Sequence, residues 1–230
     1  MLREVGGQGQ NALLEASVCV VGAGGLGGPA ALYLAAAGVG HIAVVDDDVV
    51  ELSNLQRQVQ FGTDDIGQPK ARVLADRLMA INPDVEAGAR VRRVTEETAN
   101  TLLAGFDVIL DGTDSFDTRF AVNAAALHHG TPLVSGAVGR WSGQLGVFGR
   151  PGPCYRCFVP NAPPDAESCA AVGVVGALTG VVGSAMAMEA VKLITGAGEA
   201  LAGRLWLYDG LAVTSRTVAL ARDPGCAACG

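Results

Sequence analysis

The feature that most restricts the fold of this chain is a glycine-rich turn between a predicted strand and a predicted helix. Residues 17–22 (SVCVVG) are rich in β-branched side chains, residues 22–27 (GAGGLG) match the pattern G-x-G-x-x-G, and the alanine-rich residues 26–38 follow. Glycines at these spacings let the backbone turn tightly and approach a phosphate, which then meets the positive end of the helix. The alternative is a glycine-rich turn without a ligand.

A carboxylate further along the chain favours the nucleotide interpretation. Asp46 ends a second predicted strand, residues 41–46 (HIAVVD). At that position a carboxylate can accept hydrogen bonds from ribose hydroxyls. Strand, glycine turn, helix and acidic residue together predict a nucleotide site, but they do not distinguish NAD from ATP.

The order of the elements predicts an α/β fold. Strand and helix signals alternate through residues 1–136, with a helix at 69–83 and a strand at 106–111, which indicates a Rossmann-like, mostly parallel sheet. In residues 137–230 the segments GRWSGQLGVFG, LWLYDG and VTSRTVALAR are typical of antiparallel strands. No linker divides the chain, so we expect one domain over residues 1–230. Its first half binds the nucleotide, and its second half carries an antiparallel extension tied by a structural zinc.

Composition excludes several classes of protein. Of the 230 residues, 50% are hydrophobic and 17% are charged, which excludes an intrinsically disordered chain. The net charge of −7 argues against binding nucleic acid or an anionic membrane through bulk charge. The N-terminus has no apolar leader, so we expect a cytoplasmic protein. The apolar residues 172–188 are followed by Glu189 and Lys192, and we interpret them as a helix packed inside the protein or across a dimer interface.

Two cations favour ATP over a dinucleotide. Arg57 lies within the polar residues 46–61, and Lys70 begins a predicted helix. A triphosphate carries roughly four negative charges and needs cations, whereas a helix end alone satisfies a pyrophosphate. Ordinary solvated surface is the alternative for either residue.

Two carboxylates follow the strand at 106–111. Asp111 and Asp114 lie at the predicted carboxyl edge of a parallel sheet, where such sheets bind ligands. A carboxylate there can hold magnesium against phosphates. Alternatively, Asp114 or Ser115 caps the next helix and Asp111 is structural.

The cysteines predict a metal site. Four of the six form two C-x-x-C pairs, Cys154 with Cys157 and Cys226 with Cys229, which is the ligand set of a closed tetrahedral zinc site. Disulfides are one alternative and are disfavoured in a chain without a secretion signal. Redox pairs are the other alternative, and two separate redox pairs in one chain are rarer still. We expect Cys19 to be a buried small side chain. Cys169 follows Ser168 at the end of the predicted crossover loop, residues 159–168. It is a candidate reactive thiol or an ordinary free cysteine.

In order along the chain, these motifs resemble the ThiF/MoeB/HesA family, the bacterial relatives of ubiquitin-activating enzymes. The resemblance runs through VVGAGGLGGPAALYLAAAGVG, VVDDDVVELSNLQRQ, IGQPKA, DGTDSFDTRFAVN, PLVSGAV, PCYRC, VGALTGVVGSAMAMEAVK and PGCAACG. It covers nearly the whole chain. It implies an adenylyltransferase that uses ATP and magnesium to activate the C-terminal glycine carboxylate of a small ubiquitin-fold sulfur carrier ending in Gly-Gly.

The resemblance also implies roles for particular residues. Asp114 would be the catalytic, magnesium-associated carboxylate, Arg57 and Lys70 would be catalytic cations, and Cys169 would serve sulfur transfer in thiamine-type relatives. The cysteine pairs would hold zinc, and the protein would be a homodimer. The nucleotide-binding residues it implies are Gly25, Asp46, Ser53, Asn54, Leu55, Gln56, Arg57, Lys70, Asp114 and Ser115.

Three departures from the family pattern bear on activity. The family's arginine-rich N-terminal arm (R-Y-x-R-Q) is not found ahead of residue 3, so we expect weakened catalysis from a shortened chain. The family's T-D-N becomes Thr113-Asp114-Ser115 here. No rhodanese domain follows Gly230, so sulfur would come from a separate donor. The alternative functions are an NAD-dependent oxidoreductase of another enzyme class and a non-catalytic nucleotide-binding scaffold.

Overall fold

The eight strands form one sheet. The computed structural model describes residues 2–163 and 173–230. The spatial order of the strands is β3-β2-β1-β4-β5-β6-β7-β8. In chain order, the strands are β1 Ser17–Val21, β2 His41–Val45, β3 Glu86–Arg90, β4 Val108–Asp111, β5 Leu133–Gly139, β6 Ser142–Phe148, β7 Arg204–Asp209 and β8 Thr214–Ala219.

Seven helices of the described chain flank this sheet. They are α1 Gly6–Glu15, α2 Gly27–Ala37, α3 Lys70–Ile81, α4 Glu96–Leu102, α5 Phe116–His129, α6 Tyr155–Phe158 and α7 Gly176–Thr195. Short 3-10 turns occupy Leu52–Asn54 and Thr63–Asp65. The predicted helix at 26–38 is confirmed and ends where Gly38 adopts the left-handed conformation that favours glycine. The N-terminal helix α1 was not predicted, because its sequence GGQGQNALLE lacks a clear helical period.

The sheet changes from parallel to antiparallel at β5, as the sequence predicts. Strands β3, β2, β1, β4 and β5 pair in parallel, and β5 then pairs antiparallel with β6. Strands β7 and β8 continue the antiparallel part. The parallel strands β1, β2 and β4 are almost wholly buried, since helices cover both of their faces. Their carboxyl ends therefore share one edge of the sheet, and the glycine turn lies there.

Helix α7 packs against the body of the protein. By length and composition it could cross a bilayer, but it lies against α2, β5 and β6 in the fold. Gly176, its first residue, is sterically required: a Cβ atom there would come within 2.1 Å of the backbone oxygen of Gln56. Glu189, one of the two charges that follow the apolar run, is buried, pairs with Lys192 and accepts a hydrogen bond from the backbone N–H of Leu201 at 2.7 Å.

Candidate active site and metal centre

A cavity of about 890 Å³ opens at the carboxyl ends of β1, β2 and β4. This is the edge at which open α/β sheets bind their ligands. Its lining includes seven of the ten predicted nucleotide residues, which lie far apart in sequence. They are Gly25, Asp46, Asn54, Arg57, Lys70, Asp114 and Ser115.

The glycine turn is held closed by close backbone contacts. Gly22 has a φ of +89°, and a Cβ atom on Gly27 would lie 1.8 Å from the backbone oxygen of Gly22. Hydrogen bonds from a side chain outside the turn also stabilise it. The Nε2 group of the buried Gln60 donates to the backbone oxygens of Ala23 at 2.7 Å and Gly24 at 3.0 Å. These contacts leave a compact loop whose backbone a phosphate could approach at the start of α2.

Asp46 is fixed at the end of β2. One of its carboxylate oxygens accepts a hydrogen bond from the backbone N–H of Ala23 at 2.7 Å, and the other accepts from the backbone N–H of Asp48 at 2.8 Å. Burial raises the pKa of Asp46 above its ordinary value, although these two hydrogen bonds oppose that shift. The carboxylate thus ties the glycine turn to β2 beside the cavity, where a ribose would lie.

The two predicted cations are placed differently. The Lys70 side chain is 7% exposed, and its Nζ lies 2.8 Å from a carboxylate oxygen of Asp48. Arg57 is half-buried, and its guanidinium donates to the backbone oxygen of Ser53 at 3.1 Å. Both side chains line the cavity, so both positive charges are available to a bound phosphate chain.

Three predicted binding residues lie beside the cavity and outside its lining. Ser53 is exposed, with its hydroxyl donating to Glu51 at 3.3 Å, and Leu55 packs against the hydrophobic core. The backbone oxygen of Gln56 faces Gly176 at the start of α7. These residues shape the segment that carries Asn54 and Arg57, and their direct role in nucleotide binding stays a prediction.

The two carboxylates after β4 have different environments. Asp111 is fully buried and accepts hydrogen bonds from the hydroxyls of Thr113 and Ser135 at 2.7 and 2.8 Å, so its placement is structural. Asp114 is exposed at the cavity, and its carboxylate has no hydrogen-bond or ion-pair partner among the residues the structure describes. Ser115 caps α5 by accepting from the backbone N–H of Thr118 at 3.5 Å.

A buried arginine that the sequence did not single out organises this edge. Arg119 donates to Ser135 at 3.2 Å, to the backbone oxygen of Gly136 at 2.9 Å and to the backbone oxygen of Thr113. Its guanidinium also lies over the ring of Tyr155, 5.8 Å from the centroid. Arg119 therefore joins β5, the loop bearing Asp114 and the first cysteine pair. A helical arginine in FDTRFAVN offers no sequence signal for this role.

The four paired cysteines come together as the zinc interpretation predicts. Their Sγ atoms lie 3.9 Å apart for Cys154 and Cys157, 3.7 Å for Cys154 and Cys226, and 3.5 Å for Cys157 and Cys229. A tetrahedral site with Zn–S bonds of about 2.3 Å has sulfur–sulfur edges of about 3.8 Å. A disulfide needs about 2.05 Å. The spacing fits a metal and excludes the disulfide alternative in this structure.

The four thiols of the cluster have different environments. The backbone N–H of Asp223 points at the Cys157 sulfur from 3.5 Å. Burial raises the pKa of Cys154 to about 12 and also raises the pKa of Cys157. Burial acts in the same direction on Cys229, but hydrogen bonds from Cys154, Cys157 and Arg222 lower its pKa to about 7. Since ionised sulfur is the form that binds metal, metal binding would release protons from the buried thiols.

The cysteine cluster also adjoins the cavity. Tyr155 and Phe158 lie in the short helix α6, on either side of Cys157. Both line the cavity, as does Pro163. The backbone N–H of Tyr155 donates to the side-chain oxygen of the buried Asn123 at 2.8 Å. A metal that fixes α6 would therefore also fix one wall of the candidate active site.

The two remaining cysteines differ. Cys19 is fully buried in β1, and burial raises its pKa to about 12, which confirms the prediction of an inert core side chain. Cys169 lies outside the described residues, so its role stays a prediction.

Comparison with known proteins agrees with this arrangement. The ThiF family profile matches residues 1–228. The chain is 49% identical to the sulfur carrier protein adenylyltransferase of Thermus thermophilus, over 100% of this chain and 88% of that protein. It is 44% identical to the sulfur carrier protein ThiS adenylyltransferase of Escherichia coli, over 100% and 92%.

Solved structures share the fold at greater distance. A crystal structure of E. coli MccB superposes with a TM-score of 0.88 at 22% identity, covering 97% of this chain and 70% of MccB. The confirmed resemblance thus rests on sequence over nearly the full length, on the parallel-to-antiparallel sheet and on the clustered cysteines. This chain belongs to the ThiF family.

Proposed function

We propose that this protein adenylates the C-terminal carboxylate of a small ubiquitin-fold sulfur carrier protein at the expense of ATP. The supporting observation is the convergence of Asp46, Arg57, Lys70 and the exposed Asp114 on one cavity beside a glycine turn. The two relatives named above are adenylyltransferases of sulfur carrier proteins, which agrees with this chemistry.

In the proposed reaction, a carboxylate oxygen of the carrier attacks the α-phosphorus of ATP. The bond from that phosphorus to the oxygen bridging the β-phosphate breaks, and pyrophosphate leaves with the electron pair. The product is an acyl adenylate, which makes the poorly electrophilic carboxylate open to attack. Because ATP and the carrier supply both reacting groups, the protein needs to position them and neutralise charge rather than supply a nucleophile.

Each residue's task follows from its placement. Asp46 would accept hydrogen bonds from the ribose hydroxyls. The backbone N–H groups of the turn at 22–27 would donate hydrogen bonds to the phosphate oxygens. Arg57 and Lys70 would offset the negative charge of the phosphates. Lys70 would exchange part of its contact with Asp48 for the ligand, since its Nζ lies only 2.8 Å from that carboxylate.

Magnesium fits the free carboxylate of Asp114. Magnesium prefers oxygen ligands and is usually bound by carboxylates together with substrate phosphates. When bound, it would neutralise part of the phosphate charge. Asp114 is suited to hold it because its oxygens are exposed in the cavity and have no partner among the described residues. Zinc would be held by Cys154, Cys157, Cys226 and Cys229, where its part is structural.

The apolar part of the cavity lining suits the tail of the carrier. Phe116, Phe158 and Pro163 supply an apolar part of the cavity wall, which also includes Asp46 and Asp114. A narrow Gly-Gly terminus could reach the α-phosphate along this wall. A separate sulfur donor would then act on the adenylate, with Cys169 a candidate for that transfer. The proposed location of both steps is the cytoplasm.

We also propose a homodimer. Helix α7 turns a face of uncharged side chains outward, including Val181 (43% exposed) and Met188 (62% exposed). Tyr33 on the neighbouring helix α2 is 60% exposed. An apolar helical face of this kind is a suitable surface for a two-fold contact.

Pyrophosphate exchange tests the proposed reaction. Purified protein, magnesium, ATP and labelled pyrophosphate are incubated with a panel of ubiquitin-fold carriers, each also prepared without its terminal glycine. We expect label in ATP only with an intact Gly-Gly carrier. ATP binding without exchange for any carrier would favour the non-catalytic scaffold, and oxidation of a nicotinamide cofactor would favour an oxidoreductase.

A further inference from the structure

We propose that Arg92 and Arg93 hold the nucleotide base, by stacking their guanidinium planes on it. This inference deepens the proposed function and depends on ATP being the bound nucleotide. It starts from the order of the strands. If Asp46 binds the ribose at the end of β2 and the phosphates lie at the glycine turn after β1, the base must extend to the other side of β2. The strand on that side is β3.

Arg92 and Arg93 follow Val91, the first residue after β3, and line the same cavity as Asp46. Their position is fixed to the end of β2, since the backbone N–H of Asp46 donates to the backbone oxygen of Arg90 at 3.2 Å. The backbone itself is anchored on both sides of the pair. Arg92 donates its N–H to the oxygen of Arg90 at 2.9 Å, and the oxygen of Arg93 accepts from the Thr98 hydroxyl at 2.9 Å.

The two side chains are free to meet a ligand. Both residues are exposed, and neither guanidinium forms a hydrogen bond, an ion pair or a ring contact with any residue that the structure describes. The other cavity arginines differ, since Arg57 donates to Ser53 and Arg119 donates to the β5 edge. Two unpaired guanidiniums at the predicted position of a base are suited to stacking on its π-face.

A purely electrostatic role makes a different prediction. Asp46, Asp47 and Asp48 place three carboxylates close together at the same edge. Arg92 and Arg93 could offset this charge, or attract phosphates, without touching a base. Such a role needs only positive charge, so lysine would serve, and it would act on any phosphorylated ligand whether or not a base is attached.

The test compares ligands with and without a base. Binding of ATP and of ribose 5′-triphosphate is measured by calorimetry for wild type, R92A, R93A, R92K, R93K and the double alanine variant. Arg72, an exposed arginine on α3 outside the cavity, supplies the matched control R72A. Circular dichroism melts establish that each variant is folded, which is expected for exposed side chains.

Stacking predicts that the double alanine variant binds ATP about tenfold more weakly, which corresponds to ~1.4 kcal/mol for the two exposed cation–π contacts together. Ribose 5′-triphosphate affinity and R72A should be unchanged. The lysine variants should lose most of the ATP affinity that the alanine variants lose. Equal weakening of both ligands, or full rescue by lysine, would overturn the stacking role. Because binding is measured without a carrier, wild-type ATP binding with no pyrophosphate exchange would contradict the proposed function alone.

Discussion

At the scale of single residues, Asp114 is the side chain on which the proposed chemistry depends most. Its carboxylate is exposed at the sheet edge and has no partner within residues 2–163 and 173–230, whereas Asp111, three residues earlier, is fully buried and hydrogen-bonded. We expect Asp114→Ala to lower the rate of pyrophosphate exchange at least about a hundredfold, because charge stabilisation at a reaction centre contributes about 10²–10³ per group. Its melting temperature should stay close to wild type. Asp117→Ala, on the exposed side of α5, is the control, and near-normal exchange by Asp114→Ala would remove the assignment.

Gln60 acts on the same site from a distance, as a positioning residue. Its Nε2 group holds the backbone oxygens of Ala23 and Gly24. Gln60→Leu preserves bulk but leaves two carbonyls in a buried setting without their donor, at a cost of about 1–3 kcal/mol each when fully unsatisfied. We expect the KM for ATP to rise several-fold while the KM for the carrier is unchanged. A variant that loses stability with no change in the KM for ATP would show that Gln60 supports the fold only.

Sequence reasoning reached some of these residues and missed others for a physical reason. Asp46, Arg57 and Lys70 are charged side chains in motifs whose chemistry is readable one residue at a time. Arg119 and Gln60 act through contacts with backbone oxygens that are distant in sequence, 17 residues away for Gly136 and 37 for Ala23. No local pattern encodes such contacts, so only the folded chain reveals them.

At the scale of elements, the cysteine cluster links the end of the chain to α6 and through it to the cavity wall. We expect purified protein to contain about one zinc per chain, as four thiolate ligands in a closed site bind this metal. Cys226→Ser should lower the melting temperature, by roughly 2–4 °C for each kcal/mol of stability lost in a chain of this size. Wild type treated with a zinc chelator keeps all of its cysteines and controls for the substitution itself, because it should show the same loss of stability.

The same cluster predicts an effect on activity that a tail anchor alone would not produce. Because Tyr155 and Phe158 line the cavity, Cys226→Ser should also raise the KM for the carrier at temperatures where the variant is folded. Metal analysis and exchange kinetics on one preparation test both parts. Absence of zinc in freshly purified wild type, with the four thiols reduced, would contradict the structural role.

Element positions were predictable where local signals are strong. The strands ending at Val45 and Asp111 are short apolar runs rich in β-branched residues, and helix α2 is followed by its glycine cap, Gly38. Their predicted bounds therefore agree with the structure within one or two residues. Helix α1 has three glycines near its start and was not predicted. It is stabilised by packing against α7, a tertiary contact that helix propensity does not report.

At the scale of the whole molecule, the outward face of α7 is an apolar surface that stays exposed to solvent in a single chain. The buried side of the helix packs on α2 and the sheet, and its small residues allow close approach: a Cβ atom on Gly183 would lie 2.6 Å from the backbone oxygen of Leu26. The opposite side exposes Val181 and Met188 with no charged residue between them. A dimer that buries this face would hold both active sites on one rigid body, because α7 also supports the segment bearing Arg57 through the Thr179 hydroxyl, 3.1 Å from the Arg57 backbone oxygen.

The dimer prediction is tested by placing charge on that face. Val181→Asp puts a carboxylate where an apolar contact would form. Across a two-fold axis the new carboxylates of the two protomers would lie close together and repel each other. We expect wild type to have the mass of a dimer in light scattering at micromolar concentration, and Val181→Asp to have the mass of a monomer with a similar circular dichroism spectrum. Val218→Asp, on the exposed edge strand β8, is the matched control and should stay dimeric. A monomeric wild type would contradict the dimer. A dimer that is lost only with Val218→Asp would place the dimer interface on β8 instead of α7.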